Sequence, residues 1–142
     1  MIYTSMTKKA MKICFEAHKE QTDKTGLPYV FHPFHLAEQM TDEITTTVAL
    51  LHDVVEDTSA TFEDLKNAGF PEEVLRPLRL LTHDPRVPYL DYIRCIKTDP
   101  VAKAVKSADL AHNSDITRYD SPDNCPPERS EKYLKAIRIL NE

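Results

Sequence analysis

The run Leu50-Leu51-His52-Asp53-Val54-Val55-Glu56-Asp57 carries four side chains able to bind a metal or move a proton. Read as helix with His52 at zero, Glu56 falls near ~40°, Asp53 near ~100° and Asp57 near ~140°. Val48, Leu51, Val54 and Val55 take the opposite side, at roughly 200° to 320°. The preceding Thr45-Thr46-Thr47-Val48-Ala49 is apolar enough to make this a buried helix, and buried carboxylates without a partner are costly. A divalent cation is the simplest partner for an adjacent His-Asp pair. The plain alternative is an acidic helix with one satisfied histidine, and the second acidic pair, Glu56-Asp57, argues against it. His32 and Asp109 are candidates from two distant segments. Two imidazoles and two carboxylates would make a mixed nitrogen–oxygen shell. That shell suits Mn²⁺, Fe²⁺, Co²⁺ or Zn²⁺ and is too nitrogen-rich for a dedicated Mg²⁺ or Ca²⁺ site.

The elements that must position these residues read as helices. Ser5 is the expected N-cap of a first helix over about 6–21, with Met6, Ala10, Ile13, Cys14 and Ala17 as its buried stripe. A polar loop over 21–29, punctuated by Gly26 and Pro28, leads to His32-Pro33. Pro33 suits the first turn of a second helix reaching about Met40, and it keeps His32 out of helical geometry. Phe34, Leu36, Ala37 and Met40 would face inward. The central helix should run without a break over about 44–55. Thr61 caps a short helix, with Asp64 in the box position and Gly69 at its end. Pro71 to Leu81 reads as helix despite Pro77, which costs a hydrogen bond. Tyr89, Tyr92, Ile93 and Ile96 form one more helical face.

Asp99-Pro100 is a helix start. Val101, Ala102, Val105, Ala108 and Ala111 follow at inward spacing. A loop over 120–127 precedes a last helix over about 128–140, with Tyr133, Leu134, Ile137 and Leu140 inward. No alternating strand pattern or repeat is present. The class is all-α: a single domain over 1–142, an irregular bundle of about eight helices.

At 142 residues, 41% hydrophobic and 29% charged, the chain can form one globular core. Only two glycines are present, which disfavours glycine-rich phosphate loops. A net charge of −5 argues against binding a nucleic-acid polymer, while a metal and local lysines can still hold a small anion. Cys14, Cys95 and Cys125 form no CxxC motif and read as reduced thiols of a cytoplasmic protein, Cys14 and Cys95 within the core. No transmembrane run is present, so no membrane partner is expected. A homo-oligomer is compatible with the composition.

The segments AHKEQTDKTGLPYVFHP, ALLHDVVEDT, LLT at 80–82 and VKSADLAHN, in that order, resemble the HD-domain phosphohydrolases. They are most similar to the hydrolase domain of the RelA/SpoT stringent-response proteins and to the stand-alone small alarmone hydrolases. The resemblance covers about residues 10–118 and implies the HD-domain fold. It implies His32, His52, Asp53 and Asp109 as metal ligands, normally for Mn²⁺. It implies Glu56 and Asp57 as the pair that handles the attacking water, with either one as the base. Asn113 and Lys24 match nucleotide-binding positions. Lys106, one turn before Asp109, is a phosphate-binding candidate on spacing. The implied activity is Mn-dependent removal of the 3′-pyrophosphate from ppGpp-type alarmones, small anionic nucleotides.

The chain departs from the pattern at Glu20, where relatives have glycine, and at Asp23, where they have an arginine that contacts nucleotide. It also has Leu110-Ala111 where an arginine usually follows the aspartate. An acid at 23 should repel a polyphosphate. That leaves two alternatives: an HD phosphohydrolase for another nucleotide or phosphorylated metabolite, and a nucleotide-sensing module without turnover. Among the remaining candidates, His18 reads as structural, His35 as a histidine on the surface or behind a ligand, His83 as a chance repeat of the letters HD, and His112 as packing one turn past Asp109 or contacting phosphate. Tyr29 reads as a core residue with a bonded hydroxyl, and Arg118 and Arg129 as solvated, with a phosphate within reach of either as the alternative.

Overall fold

The computed structural model describes residues 1–121 and 127–142. Cys125 and most of the expected 120–127 loop lie outside the described residues. Nine α-helices and one 3-10 turn occur among the described residues, with no strand beyond a single bridge between Thr22 and Pro28. The helices are α1 (Ser5–His18), α2 (Phe31–Glu38), α3 (Glu43–Leu51), α4 (Val54–Asp57), α5 (Phe62–Asn67), α6 (Glu72–Leu81), α7 (Tyr89–Lys97), α8 (Pro100–Asn113) and α9 (Pro127–Asn141). The 3-10 turn spans Ile116–Arg118, between α8 and α9. None of these helices is long and apolar enough to cross a membrane.

Helix α3 sits at the centre, packed against α1, α2, α6 and α8. Every residue from Thr45 to Leu51 is buried, so the helix has no solvated face. Asp42 caps it by accepting from the Thr45 N–H. Burial on all sides fixes the depth of the residues at its C-terminal end, which begin the site.

The expected continuous central helix is divided. Leu51 ends α3, and Asp53, at φ −110° and ψ 2°, precedes α4. Those angles lie in the sparsely allowed bridge region, where functional residues are often found. An aspartate at an N-cap ordinarily bonds the first free N–H groups, yet Asp53 makes no such bond. Its carboxylate is turned toward His52 instead.

Other ends follow local chemistry. Thr4, not Ser5, caps α1, in a reciprocal box with Thr7. Thr61 and Asp64 make the same box on α5. Gly69, at φ +98°, follows its end, a conformation that a side chain would strain. The Asp99 carboxylate accepts from the N–H groups of Val101 and Ala102, with Pro100 as the first residue of α8. Pro77 is buried inside α6, which continues through it.

His32 is helical, the second residue of α2, because a proline can occupy the first turn of a helix where its missing N–H is no loss. Three inward assignments are off. Leu134 is 56% exposed while Ala136 and Ile139 are buried; Ala111 is exposed while Leu110 is buried; Cys95 is exposed while Cys14 is buried. The first two errors fall at the edge of an amphipathic stripe.

Candidate metal centre

Three helices deliver the central groups. His32 comes from the first turn of α2, His52 from the end of α3 and Asp109 from the last turns of α8. Their ligating atoms lie within 4.8 Å of one another, and all three residues are buried. His32 Nε2 is 2.8 Å from Asp109 Oδ1, and His52 Nε2 is 3.7 Å from the same oxygen. Asp53 stands beside this trio: its Oδ2 is 3.0 Å from His52 Nε2 and accepts the Tyr29 hydroxyl. Tyr29 is thus a bonded tyrosine, as expected, and its partner is a candidate ligand.

The donor set fits a divalent cation. His52 Nδ1 lies 2.7 Å from the Ala49 carbonyl oxygen, which can only accept, so the hydrogen of a neutral His52 sits on Nδ1. Its Nε2 then presents a lone pair to the Asp53 and Asp109 oxygens, buried and with no hydrogen-bond partner. Lone pairs converging this closely need a positive charge between them. Burial opposes an imidazolium at His52, but the Asp53 and Asp109 charges outweigh it and hold the group well above the ordinary histidine range. Burial likewise works against the Asp53 carboxylate, yet His52 pulls it down to about 2. The pocket is therefore built to stabilise a cation. Imidazole nitrogen with carboxylate oxygen suits a divalent transition-metal ion.

Asp109 is held on every side. Oδ1 accepts from Asn113 Nδ2 at 3.0 Å, and Oδ2 pairs with Lys106 Nζ at 2.8 Å. Lys106 was expected to face phosphate; its side chain is only 13% exposed and turned onto Asp109. Burial disfavours the Lys106 ammonium, and Asp109 more than restores it.

The paired acids of α4 diverge. Glu56 accepts the His83 N–H at 2.9 Å and faces a cavity of about 290 Å³ with Asp53, Asp109, Lys106 and Lys132. Asp57 faces a second cavity of about 440 Å³ with Lys24, Asn113, Arg118 and Arg129. Tyr29, His32, Asn113 and Arg129 border both, so the cavities flank the His–His–Asp trio. Burial pushes the Asp57 carboxyl up to about 6, with the charges of Asp53 and Glu56 adding to it. Burial also raises Glu56, against the opposing His83 N–H bond.

Asp23 does not act as the repelling acid expected. Its Oδ1 accepts from Thr25 N–H, the Thr25 hydroxyl and Leu27 N–H, closing the 21–28 loop on itself. Its Oδ2 pairs with Arg118 at 3.0 Å, and both side chains are largely buried. Arg118 also donates to the His112 carbonyl at 2.9 Å, so it is no solvated arginine. Arg129 donates to the Tyr119 and Tyr133 hydroxyls and is likewise engaged. Nothing in the spacing links Asp23 to Arg118, 95 residues apart. His83 enters the site through its backbone and its place in the smaller cavity, which a residue-type search misses. His18 is buried and meets Gln21 Oε1 at 2.9 Å where α1 joins the loop, as expected. His35 is exposed and stacks on His112.

The helical scaffold thus carries a buried imidazole–carboxylate cluster able to hold a metal ion, flanked by two cavities lined by both cations and acids. No protein-family model matches the chain. The MESH1 guanosine-3′,5′-bis(diphosphate) 3′-pyrophosphohydrolase of Danio rerio is 30% identical over 145 residues, covering 93% of this chain and 80% of that protein. The corresponding enzyme of Aquifex aeolicus is 39% identical over 85 residues, and this chain spans 12% of its length. A solved metazoan orthologue of SpoT, described as hydrolysing ppGpp, superposes with a TM-score of 0.75 at 26% identity. That match covers 99% of this chain and 85% of the other. The chain belongs to the MESH1 family of ppGpp pyrophosphohydrolases.

Proposed function

We propose that this protein hydrolyses the 3′-pyrophosphate ester of guanosine-3′,5′-bis(diphosphate), with Mn²⁺ as the preferred ion. The observation that carries the reading is the buried His32–His52–Asp109 trio set between two cavities lined by lysine and arginine. His32, His52 and Asp109 would hold the ion, with Asp53 beside them as the fourth ligand. When bound, it supplies Lewis acidity at the phosphoryl oxygen and lowers the pKa of water.

The chain's own groups do the rest. Asp57, held up to about 6, is the base that takes a proton from the attacking water. The water oxygen bonds to the phosphorus next to the ribose 3′ oxygen, and the bond between that phosphorus and the 3′ oxygen breaks. The 3′ oxygen takes up a proton, so the products are GDP and pyrophosphate. Glu56, anchored by the His83 N–H, orients water from the opposite wall. Lys24 lines the larger cavity with Asn113, and Lys132 lines the smaller one with Lys106. Each is placed to meet phosphate charge. Burial depresses the Lys132 ammonium, and the nearby charges of Lys106, Arg129 and Lys24 add to it.

The sequence objection to an alarmone rested on Asp23. With that carboxylate matched to Arg118 and three loop donors, Asp23 does not present an unpaired acid to the cavity. The test is incubation with Mn²⁺ and a panel of ppGpp, pppGpp, deoxynucleoside monophosphates and 2′,3′-cyclic nucleotides. Pyrophosphate release from ppGpp that stops on adding EDTA is the expected result. Turnover of another member (phosphate release from a monophosphate, or ring opening of a cyclic nucleotide), with ppGpp untouched, would replace the substrate. No turnover of any member would remove the hydrolase reading.

A further inference from the structure

His32 Nδ1 lies 2.7 Å from His112 Nδ1. The two rings are 10° from parallel, with centroids 4.9 Å apart. A nitrogen–nitrogen separation that short excludes face-to-face stacking, so the rings meet edge to edge in nearly one plane. This is an N–H···N bond, and it holds one hydrogen: two N–H groups would collide, and two bare nitrogens would repel.

The other side of His32 decides which ring donates. His32 Nε2 faces Asp109 Oδ1 at 2.8 Å and must offer a lone pair to an ion there. A neutral imidazole with a bare Nε2 carries its hydrogen on Nδ1. His32 is then the donor and His112 Nδ1 the acceptor, with the hydrogen of His112 on its Nε2. His112 is itself braced. The His35 ring stacks on it at 4.1 Å, and its carbonyl accepts from Arg118, which Asp23 holds.

We infer that His112 is a positioning residue that locks His32 in its ion-binding tautomer and ring angle by accepting the Nδ1 hydrogen bond. Partners of this kind around metal-binding histidines alter affinity without touching the ion. The inference rests on the metal reading above. It also separates His112 from its neighbour Asn113, whose amide acts on Asp109.

The experiment is calorimetric titration of Mn²⁺ alone into wild type, His112→Phe, His112→Ala and His112→Asn, each checked for helical content. Phe keeps the ring and loses the acceptor, whereas Asn places an oxygen near where Nδ1 stood. The expected result is affinity weakened about 10- to 100-fold in Phe and Ala, with most of it restored in Asn. Should Phe fail to fold, Ala against Asn decides. The inference is overturned if Phe and Ala bind within about twofold of wild type, or if Asn is as weak as they are. Wild type that binds no Mn²⁺ overturns the metal reading itself, a result distinct from these.

Discussion

Asp109→Ala is expected to abolish divalent-ion binding and hydrolysis together and to cost on the order of 3–5 kcal/mol of stability. Asp109 is the one residue that touches every part of the centre: both histidines, Asn113 and Lys106. Removing it takes away the oxygen on which the two imidazoles converge. It also strands Lys106, whose ammonium is buried and kept charged by Asp109. An unpaired buried charge is what makes half of such a pair costly to delete. Urea denaturation reads the stability loss, and Mn²⁺ titration reads the binding. Lys106→Met added to Asp109→Ala should recover much of the stability and none of the binding. Retained Mn²⁺ affinity in Asp109→Ala would contradict the assignment.

The second large effect is at Asp57. Asp57→Asn should lower kcat by about 10²- to 10⁴-fold while leaving Mn²⁺ affinity near wild type. A base must be ionised to act, and the Asp57 carboxyl is pushed up to about 6 by burial, Asp53 and Glu56. A raised value means the proton stays on to higher pH, so wild-type kcat/KM should fall as pH drops through about 6. Glu56→Gln removes one of the negative charges that raise Asp57, so the remaining activity should lose its acid limb at lower pH than wild type. An acid limb unmoved by Glu56→Gln, or full activity in Asp57→Asn, would assign the base elsewhere.

The central pair was legible because its residue types are unusual where they occur. His52-Asp53 within an apolar run carries a burial cost that only a partner relieves, whereas the ligand roles of His32 and Asp109 came from the family resemblance of their segments. Capping at Thr61 and Asp99 was legible because it is local, needing only three or four residues. The break at Asp53 was not. Val54-Val55-Glu56-Asp57 continues a helix as well as it starts one, and the Asp53 carboxylate at the break is held by neighbouring His52 and by the Tyr29 hydroxyl, 24 residues away. Glu56 and Asp57 reach separate cavities because adjacent helical residues point about 100° apart. The Asp23–Arg118 pair was equally hidden, since a contact across 95 residues has no periodicity to reveal it. Single-sequence reading therefore took a loop-closing carboxylate for an obstacle to the substrate.

The most direct measurement is anomalous scattering from Mn²⁺-loaded crystals. The expected result is one peak at ligand distance from His32 Nε2, His52 Nε2 and the Asp109 carboxylate, between the two cavities. A peak elsewhere, or none in a preparation that still hydrolyses ppGpp, would contradict a catalytic ion at this centre.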